Sequence, residues 1–275
     1  MNESTSRGYL HEPYRLFHSM DKRDADFAAH SHDFHKMVFC LQGHVTYIME
    51  GNSYELQPWD ILLIPEHQIH RSILDGKTAY ERMILWVSDT FLRSFEEETL
   101  AHPFTLVNEK YPALYRIPPH KRGVLVEKLT EMERCQRGSF PGNRLWQDSY
   151  LIQFLLELSA QLSAAGAPPS SAVQTDPKIH EILAYINENL REAMTVDQLA
   201  RQFFISPSYF MHAFKAHTGC SVHQYILQKR LTQAHSRIRA GEGIISAALQ
   251  CGFGDYSAFL KAFRKQYGCS PREIR

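Results

Sequence analysis

Between residues 29 and 86 the apolar positions come in short runs, MVFCL, VTYIM, SYEL, DILLIP and RMILWV, rich in Val, Ile, Tyr and Phe. Turn signals at Gln42-Gly43, Glu50-Gly51-Asn52 and Pro58 separate them. Hairpins at this spacing predict a small antiparallel barrel or sandwich. The period then changes. Val124, Leu125, Leu129 and Met132 recur at helical spacing over 120–137, and Leu145, Ile152, Leu155, Leu156 and Leu162 over 143–164, with a break at 138–142. Residues 165–177, AGAPPSSAVQTDP, have no periodicity and read as a linker. Beyond Pro177 the pattern is helical throughout. Asp176 suits an N-cap with Pro177 at the first helical position, and Ile179, Ile182, Leu183, Ile186 and Leu190 make one apolar face.

Within that helical half the chain repeats itself. SPSYFMHAFKAHTGCSV (206–222) aligns at an offset of 49 with DYSAFLKAFRKQYGCSP (255–271), with identities at Ser208/Ser257, Phe210/Phe259, Ala213/Ala262, Phe214/Phe263, Gly219/Gly268, Cys220/Cys269 and Ser221/Ser270. Each copy follows a short amphipathic segment, Val196 to Ala200 or Ile245 to Leu249. A short helix, a tight turn and a second helix, twice over, is the helix-turn-helix plan. Ser206 and Asp255 are placed to cap the second helices, the Phe-Ala-Phe triplets at i, i+3, i+4 to face the core, and Gly219 and Gly268 to end each helix in a left-handed residue.

Charge separates the two halves. The whole chain balances, 30 basic against 30 acidic residues, but 191–275 holds 12 Lys and Arg against 5 Asp and Glu, a net of +7, which leaves −7 on the rest. A basic unit of domain size is the footprint expected for a phosphate backbone. The outer faces of the paired helices then carry the chemistry. Ser208, Met211 and His212 in one copy, with Tyr256, Ser257, Leu260 and Lys261 in the other, are candidates for base edges in the major groove. Ser206, Lys215, Arg230 and Arg264 are candidates for phosphates. Five widely spaced cysteines without a CxxC, no secretory signal and no membrane-length apolar run lead to the expectation of a cytoplasmic protein.

At these residues the chain resembles the AraC/XylS family of bacterial regulators over about 178–275. The most specific stretch is Gly252-Phe253, then Ser257-x-Phe259-x-x-x-Phe263-Arg264, then Tyr267-Gly268-Cys269-Ser270-Pro271-x-x-x-Arg275. Leu199-Ala200, Ser206-Pro207-Ser208-Tyr209-Phe210, Phe214-Lys215, Thr218-Gly219, Tyr225 and Arg230-Leu231-x-x-Ala234 supply the first half. The resemblance implies a seven-helix domain in which a long helix, here about 223–239, joins two helix-turn-helix units that enter successive major-groove segments. Phe204 departs from the pattern, standing where the family often has glycine, as do Pro207 and Met211 at positions that are often polar.

The N-terminal half is similar to the cupin-like sensor domain of such regulators, through His30-Ser31-His32-Asp33-Phe34, Gly43, Tyr54-x-Leu56, Pro58-x-Asp60-Ile61-Leu62-Leu63-Ile64-Pro65 and His70. The resemblance implies a small-molecule effector in the barrel and a homodimer contact on the two following helices. Effector-pocket candidates are His30, His32, Tyr47, Met49, Trp59, His70 and Trp86, although strand alternation alone does not decide which of them point inward. Metal cupins use HxH, a carboxylate and a distant His; His30, His32 and His70 fit, but Lys36 occupies the carboxylate position and opposes a cation. Those three histidines are therefore assigned to the pocket, and no metal or other cofactor is expected.

The expected architecture is α+β in two domains: a cupin-like antiparallel β-barrel (1–118), a helical dimerisation segment (119–164), a linker (165–177) and an all-α double helix-turn-helix domain (178–275). The expected function is a sequence-specific, DNA-binding transcription activator under small-molecule control, a sugar being one candidate, and without enzymatic activity. Its partners would be double-stranded DNA, the effector, a second copy and RNA polymerase. The alternatives are a metal-dependent cupin enzyme with a helical appendage and a regulator without a ligand.

Overall fold

The apolar runs of the N-terminal half pair into two five-stranded antiparallel sheets. In the computed structural model, which describes residues 10, 12–22, 24–95, 98–109, 113–165, 172–174 and 176–274, one sheet has the order β1 (Tyr14–Asp21), β8 (Tyr80–Val87), β3 (His35–Gln42), β6 (Asp60–Ile64), β9 (Leu114–Arg116). The other runs β10 (Ala172–Gln174), β5 (Asn52–Leu56), β4 (Val45–Met49), β7 (His70–Asp75), β2 (Asp24–Asp26). Val38, Cys40, Leu62 and Ile64 point between the sheets, against Tyr47, Met49, Tyr54 and Leu56. Met37, Phe39, Ile61, Leu63 and Leu85 point the other way, under α3 (Arg122–Arg137) and α4 (Asn143–Ala165), where Leu125, Leu129, Met132, Phe154 and Leu155 cover them. Each fully buried aliphatic side chain in this second layer contributes about 1.5–3 kcal/mol. Cys40 is buried between the sheets, and that burial pushes its thiol up to about 12.

Two short helices, α1 (Asp89–Leu92) and α2 (His102–Glu109), link the strands to this layer. The sheets also reach beyond the runs read from the sequence. β1 alternates buried Tyr14 and Leu16 with exposed Arg15 in the manner of a half-buried strand. The stretch expected to be linker contributes Ala172–Gln174, which pairs with the otherwise open edge of β5; positions 166–171 and 175 of that stretch lie outside the described residues.

The C-terminal half consists of α5 (Pro177–Glu188), α6 (Val196–Gln202), α7 (Pro207–Thr218), α8 (Val222–Arg239), α9 (Ile244–Gln250) and α10 (Tyr256–Tyr267). α8 spans two cores, giving Val222, Tyr225 and Ile226 to the one around α5–α7 and Leu231, Ala234 and Ile238 to the one around α9 and α10. Ser206 accepts from the Tyr209 amide at the start of α7, and Asp255 accepts from Ser257 at the start of α10. Gly219 and Gly268 close the two helices at φ of 80° and 72°. A Cβ at Gly219 would also lie 2.5 Å from Cδ of Arg71, so that the arginine side chain would have to give way. The two turns match in hydrogen bonding but not in residue type: Phe204, at φ 56°, occupies the place that Gly252, at φ 83°, holds in the second unit. Phe204 is 95% exposed, so little packing offsets a left-handed cost of about 1–2 kcal/mol. Among the described residues no helix is long and apolar enough to cross a membrane.

Candidate DNA-reading faces and effector cavity

The inner sides of α7 and α10 are anchored by Phe210, Phe214, Phe259 and Phe263, all fully buried. That anchoring turns Ser208, Met211, His212 and Lys215 outward on α7, and Tyr256, Ser257, Lys261 and Arg264 outward on α10, with Leu260 half-buried at the margin. Ser206 is exposed at the first helix start. Arg230 stands apart from this set and corrects its phosphate assignment. Its guanidinium donates to three carbonyls, Leu190 (2.7 Å), Glu192 (2.7 Å) and Gly252 (3.0 Å), tying the α5–α6 connection to the second turn. It lies on the helix between the two cores, half-buried, with its guanidinium turned to backbone carbonyls.

A cavity of about 450 Å³ opens where the barrel meets α8 and α10. His30, His32, Tyr47, His70 and Trp86 line it together, joined by Lys36. Two expected members do not. Met49, two residues along the same strand face as Tyr47, is absorbed into the inter-sheet core. Trp59 sits at φ 78° in the turn before β6 and is directed toward the helical layer, with the Arg122 guanidinium 5.1 Å over its ring. From the helical half come Gln224, Leu227, Gln228 and Leu231 of α8 and Ala262, Lys265 and Gln266 of α10. No local pattern in the sequence marks these as cavity residues, since their role arises from docking between segments far apart in the chain.

The imidazoles are held in one tautomer. Nδ1 of His30 lies 3.0 Å from the Ala28 carbonyl, that of His32 2.7 Å from Phe34 and that of His70 3.0 Å from Gln68. A carbonyl accepts only, so each Nδ1 carries the proton and each Nε2 keeps a lone pair. The His70 ring centroid lies 4.4 Å from His30 and 4.9 Å from His32. Burial, then the Lys36 charge, holds His32 well below its ordinary value; burial, then His30, does the same for His70. Anchored neutral imidazoles are also a metal-ready form, but the neighbouring Lys36 charge acts against a cation. Among the described residues a tighter donor set is His35, Glu66 and Asp89, with ligand atoms within 4.8 Å of one another. There Nδ1 of His35 accepts from the Glu66 amide at 3.2 Å, so Nε2 holds the proton facing Asp89 at 3.6 Å rather than offering a lone pair.

Polar contacts also join the two halves around the cavity. Glu50, in a left-handed turn at φ 47°, accepts from Tyr225 Oη at 2.5 Å and Lys229 Nζ at 2.7 Å. Arg71 donates to the Ala216 carbonyl, Arg239 to Thr90 and Gln266 to the Ser31 carbonyl. His235 is buried against Tyr267 and His67, with Nε2 3.6 Å from Asp33. In the sequence Glu50-Gly51-Asn52 signals a turn and nothing more.

Residues 12–183 match the family model of an AraC-like ligand binding domain, and residues 199–275 that of a helix-turn-helix domain. The HTH-type transcriptional activator RhaS of Escherichia fergusonii is 24% identical over 254 residues, covering 90% of this chain and 87% of that protein. RhaS of Salmonella arizonae is 25% identical over 258 residues, covering 91% and 88%. Among solved structures, unsaturated fatty acid bound ToxT from Vibrio cholerae aligns over 94% of both chains at 14% identity and a TM-score of 0.40. A regulator with an AraC-type DNA-binding domain from Chromobacterium violaceum aligns over 36% of this chain and 89% of that one, at 27% identity and a TM-score of 0.34. With the ligand-binding model covering more than half of its length and two capped helix-turn-helix units behind it, this chain belongs to the AraC family of transcription regulators.

Proposed function

We propose that the protein is an effector-controlled transcription activator in which α7 and α10 read two successive major-groove segments and the cavity against α8 holds the effector. The observation that carries this is the matched orientation of the two helices, each with its Phe pair buried and its polar face exposed within one basic unit. Ser208, Met211, His212, Tyr256, Ser257, Leu260 and Lys261 take base edges, and Ser206, Lys215 and Arg264 take phosphates. Activation is the sign carried by the RhaS relatives, and it brings RNA polymerase in as a partner. A second copy pairs through α3 and α4, where Val124, Leu145, Trp146 and Leu156 remain exposed apolar residues. In this reading the cavity serves recognition rather than turnover, and the protein works in the cytoplasm, on the chromosome.

The division of labour is tested by two substitutions. Lys261→Ala relaxes base preference at one operator position, costing about 1–3 kcal/mol there. Arg264→Ala weakens all sequences alike and lowers the salt slope by about one. Fluorescence anisotropy on operator variants across a salt series reads both; equal, sequence-independent losses from the two variants contradict the assignment.

A further inference from the structure

We propose that Phe204, in the turn between α6 and α7, is a DNA contact that packs on the deoxyribose edge at the rim of the groove segment entered by α7. The inference rests on the groove-reading assignment above and goes beyond it by adding a residue that neither reads bases nor neutralises phosphates.

The turn itself does not need this side chain. Its backbone is fixed by two hydrogen bonds, from the Phe204 amide to the Arg201 carbonyl at 3.2 Å and from the Ile205 amide to the Ala200 carbonyl at 2.9 Å. Gly252 and Phe253 make the same pair of bonds in the second unit, to Leu249 at 3.0 Å and Ala248 at 3.1 Å. There glycine is obligatory, because a Cβ would lie 2.8 Å from the Leu190 carbonyl oxygen and 2.9 Å from that of Arg191. In the first unit the place is open, and a phenylalanine occupies it at φ 56°. Glycine would adopt that backbone freely.

Nor does the core use the ring. Phe203 and Ile205 on either side pack against the core of the first unit, Phe203 with its ring 5.7 Å from that of Tyr185. Phe204, 95% exposed, is the most exposed large apolar side chain among the described residues. A position that costs backbone strain and gains no burial is accounted for by something outside the chain.

Its place in the motif says what that is. In a helix-turn-helix unit the first helix crosses the phosphate backbone and the N-terminal end of the second enters the groove. The turn between them lies over the groove rim, where the nearest apolar surface is deoxyribose. Phe204 precedes Ser206, the cap of α7, by two residues. A protein partner would be expected to bury a contiguous apolar patch, whereas the exposed residues flanking this ring in the chain are Arg201, Gln202 and Ser206. A phenyl ring carries no charge and no hydrogen-bonding group. The contact therefore adds affinity without sequence preference and without releasing counterions.

The test uses Phe204→Gly and Phe204→Trp in the full chain, on a duplex selected from genomic fragments by binding. Affinity is followed across a salt series with Tm measured alongside, and hydroxyl radicals, which attack deoxyribose, read the footprint. Phe204→Gly is expected to keep or raise Tm, yet to lose about 5- to 20-fold in affinity, alike on all operator variants and with an unchanged salt slope. Sugar protection at the edge of the α7 segment disappears in this variant, while the α10 segment stays protected. Phe204→Trp retains both affinity and protection. Unchanged affinity and footprint in Phe204→Gly overturn the proposal, and so does a Tm that falls in step with affinity, the mark of a structural residue. A loss confined to cooperative binding at tandem sites, with single-site affinity intact, assigns the ring to a second copy of the chain and overturns it too. Absence of any protected segment with the wild-type protein instead removes the groove reading, and the inference with it.

Discussion

Arg230→Ala lowers the unfolding free energy by about 2–4 kcal/mol, without the signature of a lost phosphate contact. The wild-type guanidinium joins three carbonyls from two separate connections, those of Leu190, Glu192 and Gly252. Charged hydrogen bonds of this kind are worth about 1.5–3 kcal/mol each when buried, and less here because the site is only partly covered. Gly252 is itself in the left-handed turn of the second unit, so its carbonyl loses a partner at a point already short of alternatives. Urea unfolding of the isolated variant measures the loss. Lysine, with a single ammonium, does not span the three carbonyls, so Arg230→Lys recovers only part of it. An Arg230→Ala protein of unchanged stability with a shallower salt dependence of DNA binding would return this residue to the phosphate set.

Acidification from pH 7 to pH 5 destabilises the protein well before its carboxylates titrate. His67 and His235 are held neutral at the junction of the halves, pushed by burial down to about 3 and about 4. Their unfolded counterparts take up protons below about 6.5, so between pH 6.5 and about 4 the unfolded chain binds protons that the folded chain refuses, and stability falls with pH. Each such imidazole contributes up to about 1.4 kcal/mol per pH unit, hence roughly 2–4 kcal/mol for the pair by pH 5. His32 and His70, depressed by burial within the cavity wall, act in the same direction. Glu66 acts in the opposite direction, since burial raises its carboxyl and protonation is easier in the folded state, but it is one group against four. Asp89, held down to about 2 chiefly by His35, loses its contribution only below about pH 4. Unfolding free energies at pH 7, 6 and 5 give the slope, and the double variant H67N/H235Q lowers it to the part that His32 and His70 contribute. A profile that is level or rises toward pH 5 is incompatible with neutral histidines at this junction.

The parts of this molecule that were readable as a string are those whose signals are local. The offset-49 repeat, the caps at Ser206 and Asp255 and the terminating glycines define α7 and α10 because each depends on residues within one or two turns. The hairpin runs announce antiparallel sheets for the same reason. The inward set of the barrel was not readable. β3 and β6 are apolar on both faces, one packing on the opposite sheet and the other on α3 and α4, so alternation carries no sign there. Nor does alternation separate Tyr47 from Met49, which share one face of β4 although only Tyr47 lines the cavity. Nothing local distinguishes Arg230 from the outward basic residues of the same unit, and only the fold reveals three carbonyls waiting for it. The cavity's far wall, Gln228 with Lys265 and Leu231, belongs to a contact between halves that no window of sequence contains.

Hydroxyl-radical footprinting of the full-length protein on a genomic fragment selected by binding measures the twin-reader geometry most directly. Two protected segments on one face of the duplex, about one helical turn apart, are expected, the one under α10 fading in Lys261→Ala and both fading as salt is raised. A single protected segment, or binding indifferent to sequence and salt, would contradict the account.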